Sequence, residues 1–257
     1  MTNERFELAS QGRRLAWDAC YNAREVGGYP TSNGGTVAWG RLVRTDNLSR
    51  LTPAGQAALI EYGVSTIIDL RDPSELAMEP HAFMQAAREA GAVSYHNLPL
   101  MIFDDTIWLK TIKEIDTTPG YYCATLDYFK PQVAAILQTV ADAGVGGVLV
   151  HCHAGKDRTG LVVALLLGVA GVAPALIAED YAVSNQYLQP WYARMLAKHA
   201  DNPARQQRMA ADFKSSPEFI MQVFAHLDQA YGGVNAYLLA TGLTQAEIDQ
   251  IHNRLHH

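Results

Sequence analysis

Cysteine is scarce in this chain: 257 residues hold three, Cys20, Cys123 and Cys152, an odd number with no C-x-x-C pair. A disulfide framework is thereby excluded, the spacing gives no structural zinc site, and a reducing, cytoplasmic setting is expected. Positive charge is not in excess either. Twenty Lys and Arg against 26 Asp and Glu leave a formal charge of −6, so no global attraction to nucleic acid or to an anionic membrane is expected. Any anionic ligand must be caught by a local pocket. No apolar run is long enough to span a bilayer, and the opening stretch MTNERFELASQGRRLAW has no continuous apolar segment. Stable membrane insertion is not expected. Internal repeats, low-complexity tracts and Ser/Pro-rich linkers are missing too, which points to a single domain over residues 1–257.

What the chain does have is a 49% hydrophobic composition, enough to bury a substantial core, and an alternation of strand and helix patterns. VSTIIDL (64–70), AVSYHNLPL (92–100) and GGVLVHC (146–152) are short β-rich runs. Each follows a helical stretch that ends near a glycine, Gly63, Gly91 or Gly144. Turn signals at Tyr29-Pro30 and Asn33-Gly34-Gly35 predict a small hairpin before the main sheet. Thr52 and Pro53 read as the N-cap and first residue of a helix. From Leu161 onward no strand is expected. Helical spacing recurs at about 174–188, 190–200, 217–230, 233–240 and 244–255, with Thr244 and Glu247 forming a capping-box pattern. The fold class is therefore α/β: a largely parallel central sheet flanked by helices, with a helical C-terminal layer.

The chemistry concentrates in GVLVHCHAGKDRTGLVVALLLGV, residues 147–169. Apolar residues 148–150 form a buried strand and 161–167 an apolar helix, so residues 152–158 must be the tight loop between them. Such a strand–loop–helix aims main-chain N–H groups and the positive end of a helix dipole into one concavity, which suits an anion. A cysteine at its mouth is favoured as thiolate by those amides and by Arg158, so Cys152 is a candidate nucleophile. Arg158 can present its planar fork to two oxygens of a tetrahedral oxyanion, and Ala154 and Gly155 keep the loop small enough for close approach.

HCHAGKDRTG resembles the signature loop of cysteine-based protein tyrosine phosphatases, H-C-x5-R-[ST]-G. Its AGKDRTG form is similar to a bacterial family that includes triple-specificity and phosphoinositide phosphatases. Two further segments match in the same order: NAREVGGYP, with Glu25 where that family usually has aspartate, and STIIDLRDPSE. The resemblance implies a protein tyrosine phosphatase-like sheet and hydrolysis of phosphomonoesters through a phosphocysteine. It implies Cys152 as nucleophile, and His153, Ala154, Gly155, Lys156, Asp157, Arg158 and Thr159 as the phosphate-binding loop. The Thr159 hydroxyl would bond the sulfur and His151 would brace the loop. Lys156 would suit extra phosphates, and Asp157 would tether substrate, orient water or hold the loop. No cofactor is implied. The expected partner is a phosphorylated protein or a phosphoinositide, with inorganic phosphate as product.

The acid that protonates the leaving group is open at this level. Asp104 and Asp105, in NLPLMIFDDT, sit where many relatives carry a mobile acid loop; Asp69 and Asp72 lie at the C-terminal end of an earlier strand, where α/β sheets place ligand sites. Asp69 followed by Arg71 could equally be a buried ion pair, and Arg24 reads as structural. Zinc at His151-Cys152-His153 is disfavoured because neighbouring strand residues point to opposite faces. A nucleotide-binding loop around Gly155-Lys156 fails because its first glycine would fall at Val150. Sulfurtransferase, arsenate reductase and a silent phosphate-binding module remain as alternatives. Helices near 104–130 or 187–215 are expected to close over Cys152.

Overall fold

A computed structural model describes residues 12–86 and 93–257. Strands β1 (Arg24–Glu25), β2 (Leu42–Thr45), β3 (Val64–Asp69), β4 (Ser94–Asn97) and β5 (Gly147–His151) form one sheet in the order β1-β2-β5-β3-β4. Only the β1–β2 pair is antiparallel; β2–β5, β5–β3 and β3–β4 are parallel. The expected upstream hairpin is present, closed by a Pro30–Thr36 bridge across Asn33-Gly34. Its returning strand does not precede the main sheet but enters it, as β2 alongside β5. The fourth strand is shorter than its apolar run, and Gly91, expected to end the preceding helix, lies outside the described residues.

β5 is central and buried throughout, as a strand covered on both faces must be. Its period of two divides the core. Leu42, Ile68, Val148 and Val150 face one apolar cluster, while Val43, Ile67 and Leu149 face another. The second cluster is small and is closed by Trp17, Leu48, Phe83 and Leu59 of helix α1 (Pro53–Glu61). Thr52 caps α1 and Pro53 begins it, as the sequence indicates. Two short helices, α2 (Pro73–Met78) and α3 (Phe83–Ala86), lie between β3 and β4.

The other face carries the bulk of the helices. Between β4 and β5 come α4 (Thr106–Thr111), α5 (Thr118–Tyr128) and α6 (Lys130–Asp142). After β5 the chain is helical: α7 (Asp157–Val169), α8 (Pro174–Ala197), α9 (Pro203–Asp212), α10 (Pro217–Tyr231), α11 (Val234–Ala240) and α12 (Gln245–His256). α7 is buried around almost its whole girth, as its unbroken Leu/Val run requires. The two segments expected at 174–188 and 190–200 are one helix, continuous through Pro190. Its ring removes only one ladder bond, and Tyr187, Leu188 and Tyr192 anchor both sides of it in the core. The capping box of Thr244 and Glu247 opens α12. Among the described residues no helix is long and apolar enough to cross a membrane.

Candidate active site

The loop from Cys152 to Lys156 leaves the C-terminal end of β5 and runs directly into α7. Its carbonyls are taken from the protein side, one after another. His151 O accepts Leu70 N (2.9 Å), and Cys152 O accepts His151 Nδ1 (3.2 Å). His153 O accepts Asn47 N (3.0 Å), and Asn22 Nδ2 donates to Ala154 O and Gly155 O at 3.0 Å each. Arg44 Nη2 donates to Gly155 O (2.9 Å) and Lys156 O (3.4 Å). With the carbonyls held on that side, the loop's N–H groups are turned toward the opposite one, the arrangement of an anion nest. Gly155 has φ 63°, and a Cβ there would lie 2.2 Å from Thr45 O. Only glycine lets the loop lie this close to the end of β2.

Behind the loop sits a buried triad. Asp180 of α8 accepts from Arg24 Nε at 3.0 Å and from Arg44 Nη1 at 2.6 Å, all three groups being at most 1% exposed. Arg24 also donates to Asn22 Oδ1 (2.6 Å), Asp180 O (2.8 Å) and Ser184 Oγ (3.1 Å). The NAREVGG segment thus acts as scaffold: Asn22 holds the loop and Arg24 holds Asn22. Burial first, then the neighbouring Arg24, lowers the Arg44 pKa to about 10, which still leaves it charged at neutral pH. Two guanidiniums against one carboxylate leave net positive charge directly behind the nest, where low dielectric strengthens its pull on an anion. Glu25, one carbon longer than the aspartate the resemblance implies there, accepts the N–H groups of Val26, Gly27 and Gly40 and the Tyr62 hydroxyl. The longer side chain pins two turns at once.

Arg158, in the first turn of α7, is gripped by Glu75 of α2 through Nη1–Oε2 (2.5 Å) and Nη2–Oε1 (2.8 Å). Burial works against its charge, but the Glu75 hydrogen bonds and the nearby Cys152 more than compensate and raise its pKa. Glu75 is itself fixed by accepting Asp72 N (2.9 Å) in a capping box. Cys152 is 3% exposed. The Thr159 hydroxyl is buried and makes no hydrogen bond among the described residues, so the expected bond to the sulfur is not formed here.

A cavity of about 420 Å³ lies against the second half of the loop, lined by Lys156, Asp157 and Arg158. Its walls are Met101, Phe103, Ile115 to Thr118, Tyr121 and Tyr122 on one side and Asp212 on another. Both segments expected to close over the cysteine therefore border it. Cys152 itself does not line it. Lys156 is not free for extra phosphates: Nζ donates to Asp212 O (2.6 Å) and Lys214 O (3.2 Å) at the end of α9.

None of the aspartates proposed as acids from the sequence lines this cavity, and Asp69, Asp72 and Asp105 are engaged in other bonds. Asp105 is the N-cap of α4: Oδ1 accepts Ile107 N and Trp108 N at 2.9 Å, and both oxygens accept Tyr128 OH at 3.0 Å. Those bonds, Trp108 N–H foremost, hold its pKa below the ordinary value. Asp104 is exposed and lines a separate cavity with Asp72. Asp72 caps α2 through Ser74 N (2.9 Å) and accepts Phe103 N (3.2 Å). Asp69 is fully buried and forked by Arg71 (Nη2–Oδ2 2.7 Å), with Tyr95 OH at 3.1 Å. Burial would raise its pKa, but His151, His81 and Arg71 together hold it far below the carboxylate range. Asp69, His81 and His151 stand close enough to enclose an ion. Both Asp69 oxygens, however, already serve Arg71, whose charge stands where it would repel a cation. The carboxylate that does line the Arg158 cavity from the loop is Asp157, held by Tyr122 OH and by Lys156 Nζ at 3.2 Å.

Burial pushes the His151 pKa down to about 4, with Asp69 only partly opposing. The folded chain therefore keeps this ring neutral where an unfolded chain, with an ordinary histidine pKa near 6.5, takes up a proton. Unfolding free energy should fall as pH drops from about 6.5 to 4, by up to about 3 kcal/mol. Urea denaturation at intervals through that window checks this. His151→Asn should flatten the decline, and an equal decline in the variant would rule this ring out as the cause.

A mostly parallel sheet whose central strand ends in a tight loop, with a cysteine at its start and an arginine at its exit, is an arrangement suited to holding an oxyanion. Comparison with known proteins agrees: residues 15–257 match the model of the tyrosine phosphatase family. A tyrosine-protein phosphatase of Nostoc commune is 35% identical over 220 residues, 83% of this chain and 74% of that protein. The triple specificity protein phosphatase PtpB of Mycobacterium tuberculosis is 27% identical over 246 residues, 82% of this chain and 89% of that protein. The chain belongs to the tyrosine phosphatase family.

Sequence reasoning missed the partners of the loop more than the loop. Glu75 as the counter-charge of Arg158, Asn22 and Arg44 as donors to the loop carbonyls, and Asp180 as the anion of Arg24 and Arg44 come from four separate segments. The signals in the sequence were the segments NAREVGG, which holds Asn22, and IDLRDPSE, which holds Glu75, and the acidic pair Glu179-Asp180 after the apolar run 175–178.

Proposed function

We propose that this phosphatase, working as a single domain, hydrolyses phosphotyrosine through a covalent phosphocysteine and needs no metal or cofactor. The observation that carries this reading is the loop, with its carbonyls tied back and Arg158 clamped at its exit. Cys152 Sγ attacks phosphorus, the S–P bond forms, and the P–O bond to the aryl oxygen breaks. Arg158 and the loop N–H groups hold the non-bridging oxygens as charge shifts onto them. Asp157, the loop carboxylate beside Arg158 in the cavity, gives the leaving oxygen its proton. It then takes one from the water that attacks phosphorus, so inorganic phosphate leaves and the thiolate returns. The unbonded Thr159 hydroxyl is available to turn toward the sulfur as that second bond breaks.

Phe103, Tyr121 and Tyr122 give the cavity aromatic walls suited to a phenyl ring. Phosphoserine and phosphothreonine should be slower, because an alkoxide leaving group depends wholly on the acid. The name of the mycobacterial relative, a triple specificity phosphatase, is in keeping with that wider range.

The test is turnover in EDTA with acid quenching and mass measurement of the cysteine-bearing peptide. Phosphate on Cys152 during turnover is expected; full activity without a phosphorylated thiol would overturn the mechanism, and persulfide on thiosulfate would replace it. Asp157→Asn should lower kcat on an alkyl phosphate by about 10²–10⁴-fold and on p-nitrophenyl phosphate by much less. Equal losses on the two substrates would remove Asp157 from the acid role.

A further inference from the structure

Two cavities meet at Phe103, and the charge along them is one-sided. The larger, over Arg158, is edged by Asp116, Asp157 and Asp212; the smaller, of about 380 Å³, is edged by Asp72 and Asp104. Among the described residues, the cations lining either are Lys156 and Arg158. Neither is free for a second phosphate. Lys156 is 4% exposed, with Nζ bonded to two carbonyls and paired with Asp157. Arg158 commits both terminal nitrogens to Glu75, and what remains of its field serves the one phosphate seat in the nest. Beyond that seat a substrate meets carboxylates, of which Asp104, Asp116 and Asp212 are solvent-exposed.

We infer that this phosphatase selects phosphotyrosine in a polypeptide segment bearing lysine or arginine beside it, and discriminates against phosphoinositides that carry further phosphates. The inference rests on the phosphatase reading above. A second phosphate would lie among like charges in a partly enclosed space, which costs binding. A flanking guanidinium or ammonium would find a carboxylate on either side of Phe103, while the tyrosyl ring lies against the aromatic wall. This departs from the expectation from the sequence that Lys156 serves extra phosphates.

The experiment measures kcat/KM for two phosphotyrosine peptides of equal length, flanked by arginine or by glutamate, and for a short-chain phosphatidylinositol bisphosphate. Each is run at about 20 mM and about 0.5 M salt, where the Debye length shrinks several-fold. The native chain is compared with the combined variant Asp104→Asn, Asp116→Asn, Asp212→Asn. The arginine peptide is expected to exceed the glutamate peptide by about tenfold or more at low salt, and the ratio to approach one in high salt and in the variant. A ratio at or below one in the native chain, a ratio indifferent to salt, or bisphosphate turnover equal to the arginine peptide would overturn the inference. p-Nitrophenyl phosphate separates the two levels of argument. No turnover of it by the native chain defeats the phosphatase reading, whereas turnover without peptide preference defeats only this one.

Discussion

Cys152→Ser is expected to remove phosphatase activity almost completely, by about 10⁴-fold or more, while leaving phosphate-analogue binding in place. The serine hydroxyl is a far weaker nucleophile at neutral pH, and the adjacent His151 is a poor base for it, since its Nδ1 bonds the Cys152 carbonyl and burial lowers its pKa to about 4. The nest is built from main-chain groups and Arg158, none of which the substitution touches. Turnover of p-nitrophenyl phosphate and vanadate binding by calorimetry, measured side by side, check both halves. A serine variant that kept a few per cent of activity would mean that Cys152 is not the attacking atom. One that lost binding as well would mean that the thiol helps to build the nest.

Asp180→Ala carries the second large effect, far from any reacting atom. Removing the carboxylate leaves Arg24 and Arg44 buried within reach of each other and without a counter-charge. Breaking a buried pair in this way costs about 3–5 kcal/mol, on the order of a 10 °C fall in Tm for a chain of this size. Activity should fall beyond what unfolding explains, because Arg44 and Asn22 hold the loop carbonyls. Thermal unfolding and kcat at a temperature where the variant is fully folded separate the two effects. A Tm within a degree or two of native would show that the triad is not the electrostatic keystone described above.

How much of this was legible in the sequence follows from what kind of information each feature needs. The cysteine loop is a contiguous pattern whose chemistry is local, and the strand before it and helix after it are set by unbroken apolar runs; all three are where expected. Caps such as Thr52 and Thr244 are equally local and equally readable. The acid was different. Asp104 and Asp105 stand at a position along the chain that suits an acid, but an aspartate directly before a helical run is also what an N-cap looks like, and Asp105 serves as that cap. Asp69 looked like either an acid or an ion pair, and only the approach of Arg71, Tyr95 and two histidines decides between them. Lys156 was read as an open charge because the sequence does not tell that the end of α9 comes back to meet it. The helical spacing reads as two segments, at about 174–188 and 190–200, yet packing on both sides of Pro190 holds them as one helix. In each case the missing fact was a long-range contact, which no local pattern encodes.

The central place of β5 has a consequence for how the protein becomes active. Its neighbours, β2 and β3, come from the first third of the chain, and the carbonyl donors of the loop come from residues 22, 44 and 47. Loops of 82 residues (Asp69 to His151) up to 133 residues (Asn22 to Gly155) must be closed before these contacts repay the entropy of closure. The site is therefore among the last things that folding can complete. A chain emerging in sequence order carries a cysteine with no anion nest around it until the sheet has closed.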